Sequence, residues 1–246
     1  MGDYQRGEWH RAWGSLLHNV VTGDTAFNHG FEMGYWEYLA QNPQAHEAFN
    51  QAMSENSAKV LAAVVEADDF TGIETLVDVG GGQRALISGM LKANPTLRGI
   101  LFDQPNVISG ARSMLQDEGV AGRGDFVSGD FPQGLSENGD SYVLQWIIYD
   151  WDDESAITIL RNCRRAMGSS GKLLLVERVI PPGNEPSEGE FGDIMMVVTV
   201  DGVDRTESEF RTLFDESGFD LTRIIPTKSP MSIIECVPLW EIKVLG

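Results

Sequence analysis

Three consecutive glycines, Gly80-Gly81-Gly82, stand directly after the apolar run Thr75 to Val79, and Asp103 stands directly after a second run, Arg98 to Phe102. Glycines at a strand-to-helix turn let backbone amides and a helix N-terminus come close to a ligand. A carboxylate ending the next strand can accept both hydroxyls of a ribose. Together they point to a nucleoside-type cofactor, and a nicotinamide cofactor also fits the pair. Two further segments carry polar groups beside aromatic ones: Gly129-Asp130-Phe131, and Gln145-Trp146 running on to Tyr149-Asp150-Trp151. An acid next to an aromatic ring can hold an adenine by its amino group and its face. The four histidines, His10, His18, His29 and His46, all fall in the first fifty residues. A catalytic step built from residues 51–246 therefore has no imidazole of its own to move protons.

The elements that must position these groups follow from periodicity. From about Trp9 to Val65 apolar residues recur at three and four, as in Trp13, Leu16, Leu17 and Val20 or Phe31, Tyr35, Tyr38 and Leu39. This spacing predicts helices, the third opened by Pro43 and running to about Glu66. Beyond it, strands alternate with helices. Strands are expected at Thr75 to Val79, Arg98 to Phe102, Asp125 to Ser128, Ser141 to Ile147 and Lys172 to Glu177, with helices ending at Asn94 and spanning Asn106 to Glu118 and Glu154 to Met167. The alternation predicts an α/β fold with a doubly wound, mostly parallel sheet and helices on both faces. After Ile180, PPGNEPSEGE reads as a loop, Asp193 to Val200 as a short helix, and Thr206 to Ser217 as a longer one closed by Gly218. Two late runs, Phe219 to Ile225 and Ser232 to Val237, bring the sheet to seven strands as an antiparallel edge pair. Ligands of such a sheet collect outside the carboxyl ends of the strands at the topological switch point, here the turn at Gly80 to Gly82. The expected organisation is a small helical lead-in at residues 1–67 and a cofactor-binding domain at residues 68–246.

The 246 residues, 42% of them apolar, suffice for one sizeable core. Eighteen Lys and Arg against thirty-seven Asp and Glu leave a net charge of −19, a field that repels phosphate backbones and anionic bilayers. Neither nucleic acid nor a membrane is expected as a partner. No apolar run approaches the roughly twenty residues a bilayer crossing needs. The N-terminal MGDYQRGEWH has no signal-peptide core, which makes a soluble, cytoplasmic protein the expectation. Two cysteines, Cys163 and Cys236, offer neither a disulfide framework nor a thiolate cluster; they read as buried small hydrophobes, and no metal is expected.

Several ordered segments resemble one family, the S-adenosylmethionine-dependent O-methyltransferases of plant phenolics and bacterial polyketides. LVDVGGG is similar to its first motif, LFDQP to its ribose-binding motif, GDF to its adenine motif and QWIIYDWDDESAITILRNCRRAM to its long fourth-strand motif. GKLLLVERVIPP and DRTESEFRTLFDESGF resemble its later landmarks, so the resemblance runs from roughly Trp9 to Val237. It implies a class I, Rossmann-like methyltransferase fold with S-adenosylmethionine as cofactor. It also implies methyl transfer to an oxygen of an aromatic or polyketide-like small molecule in secondary metabolism. Carried over residue by residue, Gly80, Gly82, Asp103, Asp130, Phe131 and Gln145 are expected at the cofactor, Gln145 standing where many relatives carry Lys or Ser. Trp146, Asp193, Met196 and Met195 are expected near the acceptor, the two methionines reading equally well as core packing. Glu177 and Asp204 are expected to order the site around Tyr149.

The sequence departs from that family in three places. Tyr149 replaces the histidine of an L-H-D-W pattern, and a phenol that ionises near pH ~10 is a poor general base near neutrality. Glu177 and Asp204, both acidic, push it further that way. Methyl transfer dispenses with a base when an already acidic phenol is held in line with the sulfonium methyl. Arg84 takes the place of the last loop glycine, where a cation either crowds the ligand or swings to solvent or to an acid. Finally, the chain starts after the winged-helix-like dimerisation domain with which family members usually begin. That leaves the acceptor pocket open, or completed by a homodimer mate or another chain. These departures keep two other functions in view: cofactor binding that promotes hydroxylation or rearrangement, and service as a non-catalytic partner subunit.

Overall fold

A computed structural model describes residues 3–68, 70–82, 86–135, 139–168, 170–183, 188–200 and 202–239. Among the described residues the lead-in holds five helices: α1 (Asp3–Gly14), α2 (Leu16–Thr22), α3 (Ala26–Phe31), α4 (Tyr35–Gln41) and α5 (Pro43–Ala67). Pro43 occupies the first turn of α5, where its missing N–H has no intrahelical partner to lose. The alternating part follows as β1 (Thr75–Val79), α6 (Leu86–Ala93), β2 (Arg98–Asp103), α7 (Pro105–Asp117), β3 (Gly124–Ser128), β4 (Ser141–Gln145), α8 (Asp153–Ala166) and β5 (Lys172–Glu177). Then come β6 (Val179–Ile180), α9 (Glu188–Thr199), β7 (Arg205–Thr206), α10 (Glu207–Ser217), β8 (Phe219–Pro226) and β9 (Ser232–Pro238).

Seven strands lie in the order β3-β2-β1-β4-β5-β9-β8. The first five run parallel, and β9 is antiparallel to both of its neighbours. Both faces are covered, which is why the inner strands are mostly apolar on both sides rather than alternating regularly with polar residues. Leu76, Leu101, Val143 and Leu174 pack with Val60 and Val64 of α5 and with Ile87 and Leu91 of α6. Val77, Phe102, Tyr142 and Leu175 pack with Ile159 and Cys163 of α8 and with Phe210 and Phe214 of α10. Caps place the helices: the Asp152 carboxylate accepts the Ser155 N–H at 2.8 Å ahead of α8, and Thr206 with Glu209 forms a capping box on α10. Gly218 ends α10 in the left-handed conformation its position predicts.

Three local details differ from the sequence expectation. β4 stops at Gln145, two residues short of Ile147, because Trp146, whose N–H still donates to the Val176 carbonyl at 3.3 Å, turns to φ +55 and carries the chain away from β5. α9 starts at Glu188 rather than Asp193. A second, two-stranded parallel sheet, β6 with β7, pairs Val179 with Arg205 and Ile180 with Thr206. The lead-in rests on α9: Phe27 packs with Ala12, Ala26 and Val198. Among the described residues no helix is long and apolar enough to cross a membrane, and no group of three or more His, Cys, Asp or Glu could hold a metal ion.

Candidate active site

β2 and β4 flank β1 on opposite sides, so a crevice opens beyond Val79 at the switch point. Gly80 and Gly82 have φ of +67 and +63, conformations that side chains resist. The Gly80 N–H donates to the Phe102 carbonyl at 2.8 Å, which ties the loop to the end of β2. A Cβ on Gly80 would stand 2.7 Å from Ile147 Cδ1 and 3.3 Å from Phe131 Cε1, and one on Gly81 would stand 2.4 Å from Asp78 Oδ2. Asp103 is buried at the rim of this cradle. Its Oδ2 accepts the Gly82 N–H at 2.8 Å and its Oδ1 the Gln104 N–H at 2.7 Å. Each oxygen keeps acceptor capacity, enough for the two hydroxyls of a ribose.

The remaining expected cofactor residues stand at the ends of β3 and β4. Asp130 follows β3, is exposed, and accepts from Gln133 Nε2 at 2.8 Å. The Phe131 ring meets Trp151 edge-on with centroids 6.3 Å apart. Asn162 Nδ2 holds its backbone by donating to the carbonyls of Phe131 and Pro132 at 2.9 and 2.7 Å. Gln145 is buried at the end of β4. Arg84 lies outside the described residues. Backbone amides, a carboxylate with acceptor capacity, an aromatic edge, and a loop with no room for side chains fit an adenosine-bearing cofactor.

Residues one and two positions beyond β4 serve two sides. Ile147 closes on Gly80, while Trp146 and Tyr149 line a cavity of about 330 Å³ together with Met195, Met196 and Met231. A bulky residue at positive φ costs of order 1–3 kcal/mol. Trp146 is held there by burial and by its indole N–H, which donates to Met231 Sδ at 3.0 Å. Trp146 and Met196, expected near the acceptor, both line this cavity, and Asp193 lies on α9 with its side chain outside the described residues.

The polar wall of the cavity includes Glu177, Arg178 and Asp204. Glu177 Oε1 accepts the N–H groups of Ile147 and Ile148, both at 3.0 Å. Its Oε2 is buried with no hydrogen-bond partner among the described residues. Burial pushes this carboxyl up to about 8; the amides of Ile147 and Ile148 oppose the rise, and the charges of Asp150 and Asp204 add to it. At neutral pH Glu177 is therefore mostly protonated, and Oε2 can offer a proton to an acceptor oxygen. Asp204 is buried and paired with the Arg178 guanidinium. The segment before it is laced to the Tyr149 turn: the Val203 N–H donates to the Tyr149 carbonyl at 2.8 Å, and a Cβ on Gly202 would stand 2.6 Å from that same oxygen.

Arg205 was not singled out by the sequence reading. It is 1% exposed and donates to the carbonyls of Ile148 at 3.1 Å and Trp151 at 2.8 Å and to Asp153 Oδ1 at 2.8 Å. It clamps both ends of the turn that carries Tyr149. An arginine two residues before an acidic helix start reads as surface charge in sequence, and only its burial reveals the clamp.

A doubly wound sheet with a glycine cradle and a buried strand-end acid at its switch point, beside a separate aromatic- and Met-lined cavity, defines a group-transfer enzyme of the class I methyltransferase type. The O-methyltransferase domain family matches residues 13–220, and the chain belongs to that family. It is an S-adenosylmethionine-dependent methyltransferase. It is 47% identical over 232 residues to the phenazine O-methyltransferase PhzM of Lysobacter antibioticus, covering 94% of this chain and 68% of that protein. The solved structure of LaPhzM superposes with a TM-score of 0.87 at 46% identity, covering 94% of this chain and 70% of that one. An O-methyltransferase from neocarzinostatin biosynthesis, NcsB1, solved with S-adenosylmethionine and 2-hydroxy-5-methyl naphthoic acid, is 31% identical with a TM-score of 0.83. That match covers 96% of this chain and 70% of that one. The chain thus spans about two thirds of the length of these relatives.

Proposed function

We propose that this chain transfers a methyl group from S-adenosylmethionine to a hydroxyl of a planar aromatic small molecule in secondary metabolism, such as the phenazines or naphthoic acids named for its relatives. The observation that carries the reading is the turn after β4, where Ile147 touches the glycine cradle and Trp146 lines the cavity. A cofactor in the crevice and an acceptor in the cavity then meet across one stretch of backbone. When bound, S-adenosylmethionine supplies a sulfonium methyl that an oxygen nucleophile takes in a single in-line displacement. Gly80, Gly82 and Asp103 hold the nucleoside end, with Asp130 and Phe131 at the adenine and Gln145 beside them. Trp146, Met196 and Asp193 bound the acceptor. Glu177, Asp204 and the Arg205 clamp order the turn carrying Tyr149, so that proximity supplies much of the rate.

On this reading residues 1–67 are a helical lead-in and residues 68–246 the methyltransferase domain, and the protein works in the cytoplasm. Leu17, Val20 and Val21 of α2, each more than 70% exposed, offer an apolar surface to a homodimer mate or a partner chain. Calorimetric titration with S-adenosylhomocysteine tests the cofactor site. Micromolar binding is expected, and Asp103→Ala should weaken it by about 100-fold or more, since charge-assisted hydrogen bonds contribute roughly 1.5–3 kcal/mol each. Unchanged affinity in folded Asp103→Ala rejects the assignment. Mass spectrometry of hydroxyphenazines and hydroxynaphthoates after turnover tests the transfer; cofactor binding with no methylated product across both sets favours the non-methylating reading.

A further inference from the structure

Given the transfer proposed above, the cavity carries information about its acceptor. The titratable and charged groups facing it are Lys59 from α5, Tyr149 from the turn after β4, Glu177 and Arg178 from the end of β5, and Asp204 ahead of β7. Asp150 adds its charge from beside Glu177. Among the described residues lining the cavity there is no histidine. Asp204 is engaged by Arg178, Glu177 Oε1 already accepts two backbone amides, and a phenol such as Tyr149 is too weak a base near neutrality. Apart from Glu177 Oε2, which burial keeps protonated near neutrality, none of these groups is placed to take a proton from a weakly acidic hydroxyl.

The same wall is rich in donors. Arg178 Nε is buried without a hydrogen-bond partner among the described residues, although another nitrogen of the guanidinium reaches Asp204. A buried, unmet N–H is costly to the fold, and an acceptor oxygen in its reach would recover that cost. Lys59 brings a second cation, so Lys59 and Arg178 balance the charges of Asp204 and Asp150, and Arg178 Nε is left as a cationic donor with no acceptor among the described residues. A cationic donor left unmet beside a second cation favours an anionic oxygen over a neutral one, because charge-assisted hydrogen bonds are the stronger ones.

We infer that the acceptor is an anion: a planar hydroxyaromatic whose reacting hydroxyl has already lost its proton to solvent, drawn in and oriented by Arg178 and Lys59. The oxygen lone pair forms the new O–C bond as the C–S electrons return to sulfur. The anionic charge on oxygen and the positive charge on sulfur disappear together, and no proton is left for the protein to place. Acceptors acidified by a nitro, carbonyl or ring-nitrogen substituent are then good substrates, and unactivated phenols poor ones.

A set of 4-substituted 1-naphthols, from nitro to methoxy, varies acidity at nearly constant shape. The first readout is spectroscopic: 4-nitro-1-naphthol is titrated with pH, free and bound to the full chain saturated with S-adenosylhomocysteine. Its ionisation midpoint should fall on binding by about one pH unit or more, a tenfold preference for the anion. Arg178→Gln should abolish most of that fall, and Lys59→Gln, an exposed site, part of it. The second readout is the pH profile of kcat/KM, which should rise through the ionisation of each naphthol in turn. An unmoved or raised midpoint overturns the inference, as does failure of any naphthol to bind while S-adenosylhomocysteine binds. A profile that rises through about 8 with every naphthol, and loses that limb in Glu177→Gln, overturns it in favour of Glu177 as base. Failure of S-adenosylhomocysteine itself to bind removes the methyltransferase reading on which the inference rests.

Discussion

Replacing Glu177 by Gln should change how stability depends on pH, and the change can be worked from the structure. The carboxyl is 1% exposed and is raised from an ordinary 4.5 to about 8. Between those values the folded state keeps a proton that the unfolded chain has released. Stability is therefore undiminished below about 4.5 and is lost progressively as the pH rises through about 8. At about 1.4 kcal/mol per pH unit the full loss approaches about 5 kcal/mol, of which about 4 falls between pH 5 and pH 8.5. Glu177→Gln carries no charge at any pH and keeps an oxygen for the amides of Ile147 and Ile148. Urea unfolding of both proteins at the two pH values isolates the effect, because every other titrating group is common to both. The stability of the variant relative to wild type should rise by about 4 kcal/mol from the lower to the higher pH. A change smaller than about 1 kcal/mol would mean that Glu177 is an ordinary ionised carboxylate at neutrality, and that the site possesses a base after all.

Arg205→Lys keeps the charge but cannot reach the carbonyls of Ile148 and Trp151 together. Asp153 is 76% exposed at its side chain and contributes little, so the loss comes from the carbonyls, about 2–3 kcal/mol. Scanning calorimetry should show Tm lower by roughly 5–10 °C; an unchanged Tm means the clamp holds nothing. Glu235 behaves oppositely to Glu177. Burial raises its carboxyl, but hydrogen bonds from Arg223, Lys172 and Thr222 outweigh that and bring it down to about 2. Its stabilisation is present above about 4.5 and is lost as pH falls through about 2, so Glu235→Gln should weaken the protein at neutral pH and least at pH 2, as circular dichroism of acid unfolding would record. Tyr149→His restores a base: weakly acidic naphthols should gain tenfold or more in kcat/KM and acidic ones little, and an equal gain for all would contradict an acceptor that arrives ionised.

Much of the fold was legible because its signals are local. The runs TLVDV, RGILFD and KLLLVE carry consecutive apolar residues that do not alternate with polar ones, since β1, β2 and β5 are covered on both faces. Thr206 with Glu209 and Gly218 marked the two ends of α10 by backbone chemistry that needs no distant partner. The cofactor crevice was legible for the same reason: Gly80 to Gly82 and Asp103 sit at strand ends, and parallel topology brings strand ends together. The acceptor side was legible only as a set of names. Nothing in QWIIYD says that β4 breaks at Trp146, because the break depends on Glu177, thirty residues away, capturing the amides of Ile147 and Ile148.

Sequence alone thus determined which residues form the sheet, where its ligand end lies and which family the motifs resemble, since periodicity, capping and glycine conformation act over a few residues. The protonation of Glu177, the pairing of Arg178 with Asp204 and the grip of Arg205 on the Tyr149 turn were decided by the tertiary structure. Each depends on burial and on partners distant in the chain, and a side chain's charge and hydrogen bonds are set by what surrounds it in space.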